Sequence, residues 1–147
     1  MIGKAEILRV RFLELAEEDA AAFAPLAKAY SLPKSAPDYA VVMRKCTMDA
    51  CRAPMEMMRC SCRAIDLLEE MLQKGSKLMI SDVGCGAIAA KAALESAAMN
   101  VWINTKSLRE DPEAESMNGF AEDMLAEYSP RADQITNEVK KHLKMEA

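Results

Sequence analysis

The segment Ser81–Asn104, SDVGCGAIAAKAALESAAMNVWIN, constrains the fold of this chain more than any other part of its sequence. After Asp82 it contains only two charged residues, Lys91 and Glu95, whose four-residue spacing places them on one face of a helix. Most of the other residues are glycine, alanine or larger apolar residues, and the small ones allow neighbouring helices to approach closely. The segment therefore predicts the central helix of a helical bundle.

A membrane-spanning interpretation of the same segment would put Lys91 and Glu95 near the middle of the bilayer. Each charge in that position costs roughly 2.5–3.5 kcal/mol. We therefore expect a buried helix of a soluble protein, and no membrane partner.

The composition favours an all-α fold in one domain. A chain of 147 residues is long enough to bury a core, and it contains only 5 glycines and 6 prolines. Alanine, methionine, leucine, glutamate and lysine are abundant, and all of them are good helix formers. The net charge of −4 argues against nucleic acid as a partner, because neutralising phosphates requires a basic surface.

The cysteines and the single histidine, His142, give little support to a metal site. No pair of cysteines has the C-x₂-C spacing of a zinc knuckle, and one histidine cannot build a histidine-rich site. Because the N-terminus shows no secretion signal, we expect free thiols, no metal ion and a reducing cytoplasm. The five cysteines are Cys46, Cys51, Cys60, Cys62 and Cys85.

The first predicted helix runs from about Lys4 to Tyr30 and is expected to kink at Pro25. Asp19 lies on its apolar stripe, where a carboxylate requires either a partner or a function. We favour the simpler interpretation, that Asp19 hydrogen-bonds the end of a neighbouring helix. The stripe comprises Leu8, Phe12, Leu15, Phe23, Leu26 and Tyr30.

Three further helices are predicted from their start and stop signals. A capping box formed by Ser35 and Asp38 starts the second, which is expected to bend at Pro54 and to stop at Gly75. Ser81 or Asp82 caps the third, the small-residue helix, where free N–H groups also favour a negative charge. The fourth begins at Asp111-Pro112-Glu113, with the N-cap residue and the proline in their preferred positions.

Several segments, taken in order, resemble the cyclodeaminase/cyclohydrolase family, which includes the C-terminal half of formiminotransferase-cyclodeaminase and stand-alone methenyltetrahydrofolate cyclohydrolases. The resemblance covers nearly the whole chain, although the family's N-terminal P-G-G-G motif has no counterpart. It implies an all-α homodimer that acts on a folate substrate without a metal or redox cofactor. The matching segments are LELAEEDAAAF at 13–23, LPK at 32–34, AP at 53–54, KGSKLMISDVGCGA at 74–87 and NVWINTKSL at 100–108.

The resemblance also implies roles for particular residues. Asp82, in the SD motif, would stabilise a cationic amidine and serve as general base, and Ser81 would orient the substrate. Asp19 is a second candidate acid–base group or substrate anchor. Lys34, in the LPK motif, and Asn104 are candidate substrate ligands, although a structural role is favoured for Asn104.

Three functions remain open on the sequence alone. The first is a folate-dependent enzyme, with the cyclohydrolase favoured over the cyclodeaminase because no formiminotransferase domain is fused to the chain. The second is a non-catalytic folate-binding or assembly module, which the absent P-G-G-G motif favours. The third is an unrelated helical oligomer.

Overall fold

A computed structural model describes residues 1–145, and within them the chain forms four long α-helices and no strand. The helices are α1 (Ile2–Ala29), α2 (Tyr39–Lys74), α3 (Ile80–Thr105) and α4 (Pro112–Met145). A short 3₁₀ helix, Lys77–Met79, precedes α3. The all-α prediction is therefore confirmed, and the small-residue segment forms α3.

The helix α2 lies at the centre of the fold, because it packs against each of the other three long helices. In the described part of the chain, α3 packs against α2 and α4, whereas α1 packs against α2 alone. The expectation that neighbours surround α3 is thus met on two sides only. Among residues 1–145, no helix covers one face of α3 and one face of α1.

The main core lies between α2, α3 and α4, and a smaller apolar cluster lies between α1 and α2. Small residues of α3 make the main core possible. A Cβ atom at Gly84 would lie 2.9 Å from the Cγ1 of Val139, and one at Gly86 would lie 2.8 Å from the Cδ2 of Leu68. These are closer approaches than a side chain permits, so both glycines let α3 come close to α4 and α2.

Two predicted helix starts are wrong. The capping box of Ser35 and Asp38 does not form, since α2 begins at Tyr39 and its N-cap residue, Asp38, makes no side-chain cap. Backbone turns from Ala36 N–H to the Pro33 carbonyl and from Tyr39 N–H to the Ala36 carbonyl occupy this segment instead.

The start of α3 also differs from the prediction. The helix begins at Ile80, so Ser81 and Asp82 lie inside its first turn and neither is its N-cap residue. The residue that caps here is Ser76, whose Oγ accepts a hydrogen bond from the Leu78 N–H at 3.3 Å and starts the 3₁₀ helix. The helical conformation therefore begins after Ser76, about one turn before the predicted cap at Ser81 or Asp82.

The predicted start of α4 is confirmed. The Oδ1 atom of Asp111 accepts hydrogen bonds from the N–H groups of Glu113, at 2.9 Å, and Ala114, at 3.2 Å. Pro25 and Pro54 lie inside α1 and α2 without ending them. The stripe of α1 is only partly buried, because Phe23 and Tyr30 are 58% and 61% exposed.

Candidate functional site

Asp82 lies in the first turn of α3 with its side chain exposed. Within residues 1–145 its carboxylate makes no hydrogen bond or ion pair to another side chain or to the backbone. The neighbouring Ser81 is also exposed. The positive end of a helix dipole favours a negatively charged group in the first turn, and the exposed side chain of Asp82 can contact a ligand there.

Asp19 is partly buried on α1, but the expected hydrogen bond to a neighbouring helix end does not form in the part of the chain that the structure describes. Our simpler interpretation of Asp19 is therefore wrong. Asp19 follows the buried Leu15 by four residues on α1, and within residues 1–145 its carboxylate has no hydrogen-bond or ion-pair partner.

The register of the helices follows from contacts with α2. The Nζ of Lys4, near the start of α1, lies 3.7 Å from the Oε2 of Glu70, near the end of α2. Gly86, near the start of α3, lies against Leu68, also near the end of α2. Both α1 and α3 are therefore antiparallel to α2 and parallel to each other.

This register separates the two candidate carboxylates. Along the bundle, Asp19 is level with the middle of α2, whereas Asp82 is level with its C-terminal end. The separation along the axis is roughly 25 Å at 1.5 Å per residue. One small reacting group cannot contact both carboxylates within this chain.

The candidate substrate ligands Lys34 and Asn104 lie at the other end of the bundle from Asp82. Lys34 is exposed in the segment between α1 and α2. Asn104 is partly buried near the end of α3, and its Nδ2 donates a hydrogen bond to the Ala50 carbonyl at 3.4 Å. This bond ties α3 to α2. The structure therefore brings together Ser81 and Asp82, but not the remaining candidates with them.

An open groove of about 430 Å³ runs between α1 and α3, with α2 as its floor. Its α3 wall consists of Gly86, Ala89, Ala90 and Ala93. Asp82 precedes Gly86 by four residues and therefore lies on the same face of α3, one turn beyond this wall.

The α1 wall of the groove contains its only charged lining residue, Arg9, together with Ala5, Leu8 and Phe12. Arg9 donates hydrogen bonds to both carboxylate oxygens of Glu6, at 2.6 and 2.9 Å. Arg9 is not among the candidate residues that the sequence predicts. Arg9 lies four residues after Ala5 and three before Phe12, so the sequence does place these three residues on one face of α1. That this face lines a groove depends on the position of α3, which the sequence does not show.

The thiols are free, as expected, because none of the five cysteines forms a disulfide. Burial raises the pKa of Cys51 and of Cys62 to about 11, so both are protonated near neutral pH and are poor nucleophiles. Within residues 1–145 no three His, Cys, Asp or Glu side chains lie close enough together to hold a metal ion. No helix in this range is long and apolar enough to cross a membrane.

Two comparisons with known proteins relate this chain to a family. Residues 1–123 match the formiminotransferase-cyclodeaminase family. A methenyltetrahydrofolate cyclohydrolase of Methylorubrum extorquens is 31% identical over 144 residues, which cover 95% of this chain and 69% of that protein. Both agree with the resemblance found in the sequence, and we conclude that the chain belongs to the formiminotransferase-cyclodeaminase family.

Proposed function

We propose that this protein acts in folate-dependent one-carbon metabolism and hydrolyses 5,10-methenyltetrahydrofolate to 10-formyltetrahydrofolate. Similarity to the M. extorquens cyclohydrolase supports this assignment. The structural observation that carries it is the exposed, unpaired carboxylate of Asp82 in the first turn of α3. An accessible carboxylate can stabilise a cationic carbon and serve as general base for water.

In the proposed mechanism, Asp82 acts on water at the amidinium carbon of the substrate. A C–O bond forms as the carboxylate accepts a proton from the attacking water, and the positive charge of the amidinium is lost. The C–N5 bond then breaks as N5 takes up the proton from Asp82. The hydroxyl group on the carbon gives its proton to the regenerated Asp82 carboxylate and from there to solvent, which leaves a formyl group on N10 and one released proton. Asp82 thus combines charge stabilisation with general acid–base catalysis, and Ser81 orients the substrate.

The reaction is redox-neutral, and we propose that it proceeds without a metal or redox cofactor. Water is the only co-reactant, and the carboxylate supplies the proton transfer. We also place the activity in a reducing cytoplasm, because the chain carries five unpaired thiols, of which Cys85 is exposed.

A homodimer is part of the proposal. Three large apolar side chains project from the outer face of α3: Ile88 is 56% exposed, Met99 is 64% exposed and Ile103 is 65% exposed. Clustered apolar side chains of this kind mark association surfaces on soluble proteins. Two copies packed through this face would bury all three side chains.

Two alternative functions are also consistent with membership of this family. Cyclodeamination of formiminotetrahydrofolate would release ammonia and form the same methenyl cation, so the same carboxylate suits it. The other alternative is a module that binds folate without catalysis. It is favoured by the distance of Asp19, Lys34 and Asn104 from Asp82, because these candidate catalytic and substrate-binding residues do not meet in one site of a single chain.

One spectroscopic experiment separates these possibilities. The purified protein is added to 5,10-methenyltetrahydrofolate, and the loss of methenyl absorbance is followed against the uncatalysed rate. Accelerated loss supports the cyclohydrolase. Appearance of the methenyl absorbance and of ammonia from formiminotetrahydrofolate would support the cyclodeaminase instead, and folate binding without turnover of either compound would support the module.

A further inference from the structure

We propose that a groove between α2 and α4 binds a free amino acid with an aromatic or large aliphatic side chain. The residues that line it belong to these two helices, so the site is separate from Asp82 on α3. The proposal is independent of which folate reaction the protein catalyses. It rests on two adjoining cavities, on the charges of their walls and on an exposed aromatic ring.

The two cavities lie side by side along the groove. The smaller one has a volume of about 250 Å³ and is lined by Arg59, Phe120, Asp123, Met124 and Glu127. The larger one, of about 330 Å³, is also lined by Arg59 and Phe120. Because these two residues belong to both cavities, one ligand can occupy the two together.

Charges of opposite sign come from opposite walls of the smaller cavity. On α2, the exposed guanidinium of Arg59 has one ion-pair partner, Glu56 of the same helix, at 3.3 Å. On α4, the Asp123 carboxylate makes no hydrogen bond or ion pair with any group of residues 1–145. Glu127 contacts Arg131 at 3.4 Å. Exposed pairs of this kind contribute little free energy, so both walls can bind a ligand instead.

This arrangement favours a ligand that carries both charges. A simple anion would be attracted by Arg59 but repelled by Asp123 and Glu127, and a simple cation would meet the reverse. An apolar ligand would remove water from all three side chains without replacing its hydrogen bonds. The carboxylate of an amino acid can bind the guanidinium while its ammonium group binds the two carboxylates. Both groups of an amino acid are attached to one carbon, so a single molecule can bridge the two walls.

The aromatic ring of Phe120 indicates which side chain the ligand carries. Phe120 lines both cavities and is 57% exposed, so its ring is available for stacking. The larger cavity adds Met55 and Met117, and the flexible side chains of methionines adapt to the shape of an apolar ligand. An amino acid that is bound by its charged groups in the smaller cavity can therefore extend an aromatic or large aliphatic side chain past Phe120 into the larger one.

The test titrates the protein with L-phenylalanine and follows its amide NMR signals. We expect a dissociation constant of about 1 mM, since charged contacts that remain open to water contribute little. The largest shifts should fall on the amides of the lining residues of α2 and α4. Two truncated ligands are compared: phenylpropionate lacks the ammonium group, and phenethylamine lacks the carboxylate. Each should bind about tenfold more weakly than phenylalanine, because one charge-assisted contact is lost.

Two variants identify the side chain that binds each charged group. Arg59→Gln should make phenylalanine bind no more tightly than phenethylamine, because the contact with the carboxylate is lost. Asp123→Asn should reduce the difference between phenylalanine and phenylpropionate in the same way. Arg109→Gln and Glu122→Gln change exposed residues outside the two cavities and should bind phenylalanine like the unchanged protein.

Circular dichroism establishes that each variant is folded before binding is compared. If Arg59→Gln does not fold, Asp123→Asn and the two truncated ligands test the same site. Absence of binding by the unchanged protein at about ten times the expected dissociation constant would overturn the proposal. Equal binding of the three ligands would also overturn it, and so would equal effects of the groove variants and the control variants.

Discussion

Gly84 on α3 and Val139 on α4 lie so close together that no side chain at Gly84 fits without movement. A Cβ atom there would lie 2.9 Å from the Cγ1 of Val139, a β-branched side chain with little rotamer freedom. The contact fixes the distance between two helices of the main core.

Gly84→Ala should therefore destabilise the protein by about 1–3 kcal/mol, because the strain of overpacking exceeds the gain in helix propensity. Gly119→Ala is the matched control. Gly119 also lies in a helix, but nothing is within 4 Å of its added Cβ. The control should stabilise by about 0.5–1 kcal/mol. Chemical denaturation measures both, and equal effects of the two substitutions would contradict the close contact.

Arg131 on α4 binds Glu69 on α2 through two hydrogen bonds, from Nε at 2.8 Å and from Nη2 at 2.6 Å. The Arg131 guanidinium lowers the pKa of the Glu69 carboxyl below its ordinary value of 4.5. A carboxyl whose pKa is lower in the folded state stabilises that state above its unfolded pKa, and the contribution disappears as the pH falls through the folded pKa.

Glu69→Gln should thus cost about 1 kcal/mol near neutral pH, a modest value because the pair is partly solvated. The cost should shrink as the pH falls below 4.5, the ordinary glutamate value. Free energies of unfolding at several pH values test this. Glu122→Gln, on an exposed residue of the same helix as Arg131, is the control and should change the free energy of unfolding near neutral pH by less than about 0.5 kcal/mol.

Asn104 was a candidate substrate ligand, and its bond to the Ala50 carbonyl predicts a structural role. Asn104→Ala should lower the free energy of unfolding by about 1 kcal/mol, because the bond joins α3 to α2. In the proposed enzyme the KM for methenyltetrahydrofolate should not change. A KM that rises several-fold with unchanged stability would instead make Asn104 a substrate ligand.

Asp82→Asn tests the proposed chemistry. Asp82 is not a cap, so the substitution should remove only the interaction of its charge with the helix dipole, about 0.3–1 kcal/mol of stability. Turnover of methenyltetrahydrofolate should fall roughly a hundredfold or more, because a general base is lost. Melting temperature and turnover are measured on the same preparation. Unchanged turnover would remove Asp82 from the mechanism and leave Asp19 as the next carboxylate to test.

The outer face of α3 should carry the homodimer. Ile103→Lys should convert a dimer into a monomer, because an unpaired charge would be buried in the interface. Light scattering after gel filtration gives the mass. Leu143→Lys replaces a comparably exposed side chain, 54% against 65%, on α4 and should leave the dimer intact. A monomeric unchanged protein would contradict this part of the proposal.

The four long helices can be predicted from local signals in the sequence. Helix propensity, three- and four-residue spacing and the Asp111-Pro112 start signal act over a few residues, so they can be read along the chain. The family was also recognisable, since its motifs are contiguous. Two predicted N-caps are nevertheless wrong. At Ser35 the backbone forms turns instead, and before Ser81 the chain is already helical because Ser76 caps the 3₁₀ helix.

The arrangement of the candidate residues depends on how the helices pack against one another. Asp19 and Asp82 each stood out in the sequence, but their separation depends on the register of α1 and α3 on α2. That register is set by contacts such as Lys4 with Glu70 and Gly86 with Leu68. The groove between α1 and α3 also exists only because both helices pack against α2 in this register. Distances between helices depend on side chains far apart in the chain, and for that reason no local pattern contains them.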